Sequence, residues 1–242
     1  ADWEPPAIAA VGNRAFWQVL PKADGAKRTE DSLFVYYHGI RPGEYEIRAA
    51  YSGKLRRASK EPFRYACPQP AVQDSTTRGD WPGRYGSKGY VFCHYEPDGS
   101  HRIRLPEFTD SIRFAKTGGL HIATRTDDRR APVSKDGSGT RSAGAVVTLD
   151  PAPCNQTMTV DIRNKHDGPY RLALYFVDWE KTGRRSAVEV FDLDDKRLLM
   201  PVQIVRDYRE GRYVVLSLEG SVRLRINQVR GTNASLCALF FD

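Results

Sequence analysis

Pro169-Tyr170-Arg171-Leu172-Ala173-Leu174-Tyr175-Phe176-Val177-Asp178-Trp179 is the stretch from which the fold is read. Leu172, Leu174 and Phe176 fall on one face of an extended chain, and Ala173, Tyr175 and Val177 on the other. A polar loop follows at 180–185, then a second apolar strand at 187–192. The chain closes on Ser235-Leu236-Cys237-Ala238-Leu239-Phe240-Phe241-Asp242. Leu236, Ala238 and Phe240 alternate there with Ser235, Cys237, Leu239 and Phe241, and both sets are almost wholly apolar. A strand apolar on both faces is predicted to lie centrally in a sheet.

Outward from this core the same period recurs. Strands are predicted at 90–95, 101–105, 111–114, 143–149, 158–162, 198–205, 213–218 and 222–227, with a long polar loop at 127–141. Earlier in the chain, 44–51 alternates cleanly, 32–37 and 15–20 read as strands, and 23–31 as a polar loop. Residues 54–64 are basic and polar. Cys67-Pro68-Gln69-Pro70 marks a boundary. No stretch holds helical apolar spacing over several turns. Many short strands between turn signals predict an all-β jelly-roll sandwich over 70–242, preceded by a β-containing N-terminal segment over 1–69.

Composition narrows the function classes. The chain has 242 residues and a 40% hydrophobic fraction, enough for a sizeable core. No apolar run reaches the ~18 residues of a membrane helix. Net charge is +7, spread along both segments without a dense Lys/Arg block. A nucleic-acid footprint is normally clustered, so neither nucleic acid nor membrane is an expected partner. The excess is mostly arginine, whose fork suits carboxylate or sulfate, while a generally basic surface is the plain alternative. The four cysteines, Cys67, Cys93, Cys154 and Cys237, fit no zinc spacing. Buried free thiols and one disulfide both stay open.

Catalytic signatures are absent. There is no His-Glu-x-x-His pattern, no Gly-x-Ser-x-Gly elbow and no phosphate-binding loop. Aromatics in loops are the stronger signal. A rigid aromatic ring offers a flat apolar surface to the C–H face of a sugar. Trp81 and Tyr85 lie in the Gly-rich run 74–88, Tyr90 follows it, and Trp179 stands where its strand ends. Trp81, Tyr85 and Tyr90 have a second reading as a structural cap closing the sandwich, and Trp179 as packing over an edge.

The order of these pieces resembles the malectin-like jelly rolls, within the galactose-binding-like group of sugar-binding β-sandwiches. The resemblance is carried by Tyr170 to Trp179, by Arg184-Arg185-Ser186-Ala187-Val188-Glu189-Val190-Phe191-Asp192, by Asn233 to Phe240, and by Asp74 to Tyr90. It implies non-catalytic carbohydrate binding, with the module targeting an attached polysaccharide-degrading enzyme in a secreted or periplasmic protein. By pattern, Tyr85 with Gly86 matches one position that contacts sugar in that family, Trp179 is near a second, and Thr232 with Asn233 sits at a third. Asp178 and Trp179 replace a Tyr-Phe pair, and Thr232 replaces an acidic residue. These departures move the expected ligand from glucose oligomers toward an acidic glycan approached by Arg184 and Arg185. No cofactor is required by this reading. A structural calcium ion, as in many sugar-binding jelly rolls, would be held by Asp74, Asp80 and Asp242. The alternative function is a lyase or glycoside hydrolase acting on an acidic polysaccharide.

Overall fold

Among the described residues period-two alternation becomes strand, and no helix interrupts it. The computed structural model describes residues 71–148, 156–194 and 196–242, and before them the backbone of six strands. The chain divides into two compact units, Ala1–Pro68 and Gln69–Asp242. In the first, β1 (Ala7–Ala10), β4 (Gly43–Tyr51), β5 (Lys54–Arg57) and β6 (Phe63–Tyr65) form one sheet, with β1, β5 and β6 all paired to β4. β2 (Gly25–Arg28) and β3 (Leu33–Tyr36) pair separately. β2 and β5 therefore arise where the sequence reads as polar loop or basic segment. Cross-strand pairing can hold such strands without apolar alternation. The strand expected at 15–20 lies outside the described residues, as do Cys67 and Cys154.

The second unit holds β7 (Val72–Asp74), β8 (Gly89–Phe92), β9 (Arg102–Arg104), β10 (Thr109–Ala115), β11 (Thr117–Ala123), β12 (Ala143–Thr148) and β13 (Thr157–Asn164). It continues with β14 (Pro169–Phe176), β15 (Arg185–Asp192), β16 (Gln203–Val205), β17 (Arg212–Glu219), β18 (Val222–Arg230), β19 (Ser235–Leu236) and β20 (Ala238–Phe241). Three antiparallel sheets result. One has the order β7-β17-β14-β20-β8-β9, one β10-β13-β18-β15-β16, and one β11-β12-β19. The six-stranded and five-stranded sheets share an apolar core. Leu172, Leu174 and Phe176 of β14 join Val160 and Ile162 of β13 and Leu224 and Ile226 of β18 in it. This is the sandwich that the alternation predicts.

The other face of the six-stranded sheet is apolar as well. Ala173, Tyr175 and Val177, with Phe92, Tyr213 and Phe240, build a second core. A sheet apolar on both faces needs cover on both. That requirement sets the role of the loops described below.

The closing strand refines the expectation at one point. Ala238–Phe241 is fully buried and sits between β14 and β8, at the centre of its sheet. Ser235 and Leu236 instead pair with β12 in the three-stranded sheet. The chain changes sheet at Cys237, whose N–H donates to the Tyr175 carbonyl at 2.9 Å while its carbonyl accepts from Cys93 N at 2.9 Å. Cys93 and Cys237 are free and buried. Burial pushes both thiols up, that of Cys237 to about 12.

Candidate functional site

The Gly-rich segment after β7 is a cap, built outward from Asp74. Its Oδ1 accepts the amides of Thr76 (2.7 Å) and Thr77 (3.2 Å), and its Oδ2 accepts the hydroxyls of Thr77 and Tyr85, the latter at 2.9 Å. Burial works to raise this carboxyl, but those donors hold it well below the usual carboxylate range. The turn so fixed lays Trp81 on the second core. Trp81 is 1% exposed. Its ring packs against Tyr90, Phe92 and Phe240 at 5.0–5.5 Å, and its indole N–H donates to Val133 O at 2.8 Å.

Tyr85 stacks on Tyr213 at 4.5 Å, and Tyr213 on Tyr175 at 4.4 Å. The hydroxyls of Tyr175 and Tyr213 donate to the carbonyls of Arg130 (2.7 Å) and Arg78 (2.5 Å). Gly86 turns the chain at φ +70°, where a Cβ would stand 3.0 Å from both Phe240 and Trp81. Trp81 and Tyr85 are therefore core residues in this structure, with no ring face left for a ligand. Tyr90, half-buried, lies stacked on Phe92 at 4.6 Å.

The loop between β14 and β15 follows the same local logic with a different outcome. Asp178, 1% exposed on its side chain, accepts the amides of Thr182 (3.2 Å), Gly183 (2.8 Å) and Arg184 (3.2 Å). Gly183 supplies the left-handed turn at φ +78°. The Arg184 guanidinium folds back into this ring. It donates to Asp178 Oδ1 at 2.7 Å, to Glu180, and through Nε to Asn233 Oδ1 at 2.9 Å. Burial works to raise the Asp178 carboxyl, but Arg184 and the three amides hold it below its ordinary value. Arg184 itself is 3% exposed on its side chain. Its expected role as an open cationic contact is thus replaced by a buried pairing that braces the loop against the 231–234 turn. Gly231, at φ +95°, makes room for it, since a Cβ there would lie 2.8 Å from Arg184 Cγ.

On this braced loop Trp179 stays half-buried. Its N–H points inward on the side of the Cys237 thiol. The Arg130 guanidinium lies 5.1 Å from the ring centroid. Arg130 is held in turn by Asp128 (2.7 Å) and by the Arg209 carbonyl (3.0 Å). Three loops thereby meet at one end of the sandwich, and Thr232 stands exposed on the 231–234 turn beside them. Asp178, Trp179, Arg184 and Asn233 are brought together here. Trp81 and Tyr85 belong to the cap, Tyr90 lies in β8 against Trp81, and Arg185 begins β15. Arg130 and Glu180 were missed by sequence reasoning. The run Asp127-Asp128-Arg129-Arg130 reads only as polar loop, because nothing local tells which of its charges turns inward.

The three carboxylates expected to hold calcium are not gathered. Asp74 is engaged by the hydroxyls and amides of its own turn. Asp80 is ion-paired to Arg129 at 2.9 Å and to Arg141. Asp242 Oδ1 accepts Ser87 N at 2.8 Å, and its Oδ2 lies 3.9 Å from Arg171. A hard cation needs several oxygens converging on one point. Among the described residues no group of three potential ligands does so, and a carboxylate already neutralised by two arginines is a poor donor. The residues do not fit the ion.

No family model matches the chain, and no curated protein matches it significantly. Among solved structures it is similar to a family 35 carbohydrate binding module from Clostridium thermocellum, with 9% identity over 54% of this chain and 90% of that one, at a TM-score of 0.33. It is also similar to the carbohydrate binding module of Cellvibrio mixtus lichenase 5A in complex with cellotriose, with 8% identity over 64% and 96% and a TM-score of 0.33. A third is the family 35 module from Paenibacillus barcinonensis, with 13% identity over 55% and 98% and a TM-score of 0.32. At these scores the likenesses say nothing about the ligand or the roles of residues.

Proposed function

We propose that the second unit is a non-catalytic carbohydrate-binding module whose ligand meets the loop end around Trp179. The observation that carries this reading is one half-buried tryptophan on a loop braced by a buried Asp178–Arg184–Asn233 network. A sugar ring binds best to an aromatic that is already held in place, because little entropy is then lost on binding. Asn233, Thr232 and Glu180 supply amide, hydroxyl and carboxylate groups near that ring for sugar hydroxyls.

Acid–base catalysis is less well supported. A glycosidase acid needs a carboxyl raised toward neutrality. The carboxyls of this end with displaced pKa values, Asp128, Asp178 and Glu180, are all displaced downward, with Arg130 or Arg184 among the causes. The natural role of such a module is to hold an attached polysaccharide-degrading enzyme on its substrate by raising effective concentration, outside the cytoplasm. Arginine-rich composition extends the proposed ligand class to acidic polysaccharides.

The test is a glycan array followed by titration calorimetry on wild type and Trp179→Ala. The expected result is binding without product release, weakened by roughly 1 to 3 kcal/mol in the variant. Release of shortened oligosaccharides would overturn the non-catalytic reading. Unchanged affinity in a folded Trp179→Ala protein would move the site elsewhere.

A further inference from the structure

Most arginines of the second unit are neutralised where they stand. Arg78, Arg84, Arg102, Arg129, Arg130, Arg141, Arg163, Arg171, Arg184, Arg223 and Arg225 each have a carboxylate oxygen within 4.0 Å. Among the described residues Arg104, Arg113, Arg125, Arg206, Arg209 and Arg212 have no such carboxylate, and neither do Arg185 and Arg230. Of these, Arg185 and Arg230 face each other directly across the β15–β18 ladder.

The facing is produced by an irregularity. Ser186 pairs with Gln228 but Arg185 pairs with Arg230, so Val229 is left over as a bulge, 54% exposed. Like charges set directly opposite in an antiparallel pair repel and destabilise the sheet. A bulge is a local device that re-aims side chains, often beside a binding site. Here it sets two arginines opposite each other, neither with a carboxylate within 4.0 Å among the described residues. The pair also adjoins the candidate site. Arg185 follows Arg184, and Arg230 precedes Gly231, so both flank the network that braces Trp179.

We propose that Arg185 and Arg230 form a two-armed receptor for one oxyanion, the carboxylate or sulfate ester of an acidic glycan. The proposal rests on the carbohydrate-binding reading above and names its ligand class. Two guanidinium forks can share the oxygens of one tetrahedral or planar anion through charge-assisted hydrogen bonds. The anion removes the repulsion that the bulge creates. Neutral parts of the sugar chain are left to Trp179 and its neighbours. Arg184 takes no part, being buried and already paired.

The experiment compares wild type with Arg185→Gln, Arg230→Gln and the double variant. Each is titrated with a neutral cello-oligosaccharide, an oligogalacturonide and a sulfated oligosaccharide, in dilute buffer and in molar salt. Wild type should bind at least one acidic ligand tenfold or more tighter than the neutral one, and salt should remove that advantage. The double variant should lose the advantage and keep its affinity for the neutral ligand. Loss confined to the oligogalacturonide identifies a carboxylate, and loss confined to the sulfated ligand a sulfate ester.

Equal binding of neutral and acidic ligands by wild type overturns the oxyanion receptor and leaves the carbohydrate reading standing. Binding of no glycan by wild type overturns the carbohydrate reading. The pair is then probed with inorganic sulfate by NMR of the arginine Nε–H groups. Shifts confined to Arg185 and Arg230 uphold an anion receptor, and silence there overturns it. Thermal midpoints provide a control on folding. Sulfate raises the midpoint of any fold by exclusion from its surface, so the expected sign of binding is a larger rise in wild type than in the double variant at equal sulfate.

Discussion

Two loops of this molecule share one local design and end in opposite situations. The segment after β7 is organised by Asp74, which collects amide and hydroxyl donors from its own turn. The loop after β14 is organised by Asp178 in the same manner. Each is tightened by a glycine at positive φ, Gly86 and Gly183, and each carries a tryptophan. Trp81 is swallowed, while Trp179 stays half-buried. The difference lies in what is beneath. The first loop passes over the apolar second face of the six-stranded sheet and closes it. The second leaves the end of that sheet, so that Trp179 reaches the same apolar cluster only from its margin, while Arg184 beside it is buried against carboxylates. Local loop chemistry shapes a turn, and the surface below decides whether its aromatic is structural or presented.

Substitutions that exchange the two situations probe this contrast. Trp81→Ala is expected to have the largest effect, about 3 to 5 kcal/mol of destabilisation, because it opens a cavity under the cap. Chemical denaturation measures it. A loss below 1 kcal/mol would mean that the cap is loose and that Trp81 is not held in the core. Arg184→Ala comes next, at about 3 kcal/mol, since it leaves Asp178 charged and buried without its partner.

Its effect should depend on pH. The folded Asp178 carboxyl lies below its ordinary value of 3.8. Its contribution is therefore present above that value and is lost as pH falls through the folded pKa. Wild-type and Arg184→Ala stabilities should stay apart from pH 7 to about 4 and converge as pH falls below 3.8, read from thermal midpoints carried down to pH 2. A gap that stays constant there would show that it does not depend on the Asp178 charge. Trp179→Ala is expected to be the mildest for folding, under about 1.5 kcal/mol, while weakening the glycan binding as proposed above. A strongly destabilised Trp179→Ala protein would erase the contrast between the two loops.

The sandwich was legible because strand period is written locally. Leu172 to Val177 and Ala238 to Phe241 show it directly. β11 was not legible, since Thr117-Gly118-Gly119 resembles a turn. Its Gly119 is required by packing, as a Cβ there would meet the His94 ring. β16 is shorter than the run 198–205 implies, because Leu198 makes only an isolated bridge to Phe191. The candidate site was half legible. Asp178, Trp179, Arg184 and Asn233 were all named, and they do meet. Their division of labour was not readable, because burial depends on elements far away in sequence. One sign pointed to the cap. A strand apolar on both faces requires a second layer, and the aromatics of 74–90 were the nearest material to supply it.

The stack of Tyr85, Tyr213 and Tyr175 between sheet and cap has an optical consequence. Burial raises the pKa of all three phenols above their ordinary 10.0. A phenol whose folded pKa is raised stabilises the fold fully below that ordinary value and ceases to do so as pH climbs through the folded one. In an alkaline titration the tyrosinate absorbance of these three should therefore be absent at pH 10 and appear together at the pH where the cap lifts. Burial raises Tyr95, Tyr170 and Tyr208 as well, so a Tyr85→Phe variant isolates the share of the stack. That share makes the covered face of the sheet visible to a spectrophotometer, as a built-in reporter of whether the cap is closed.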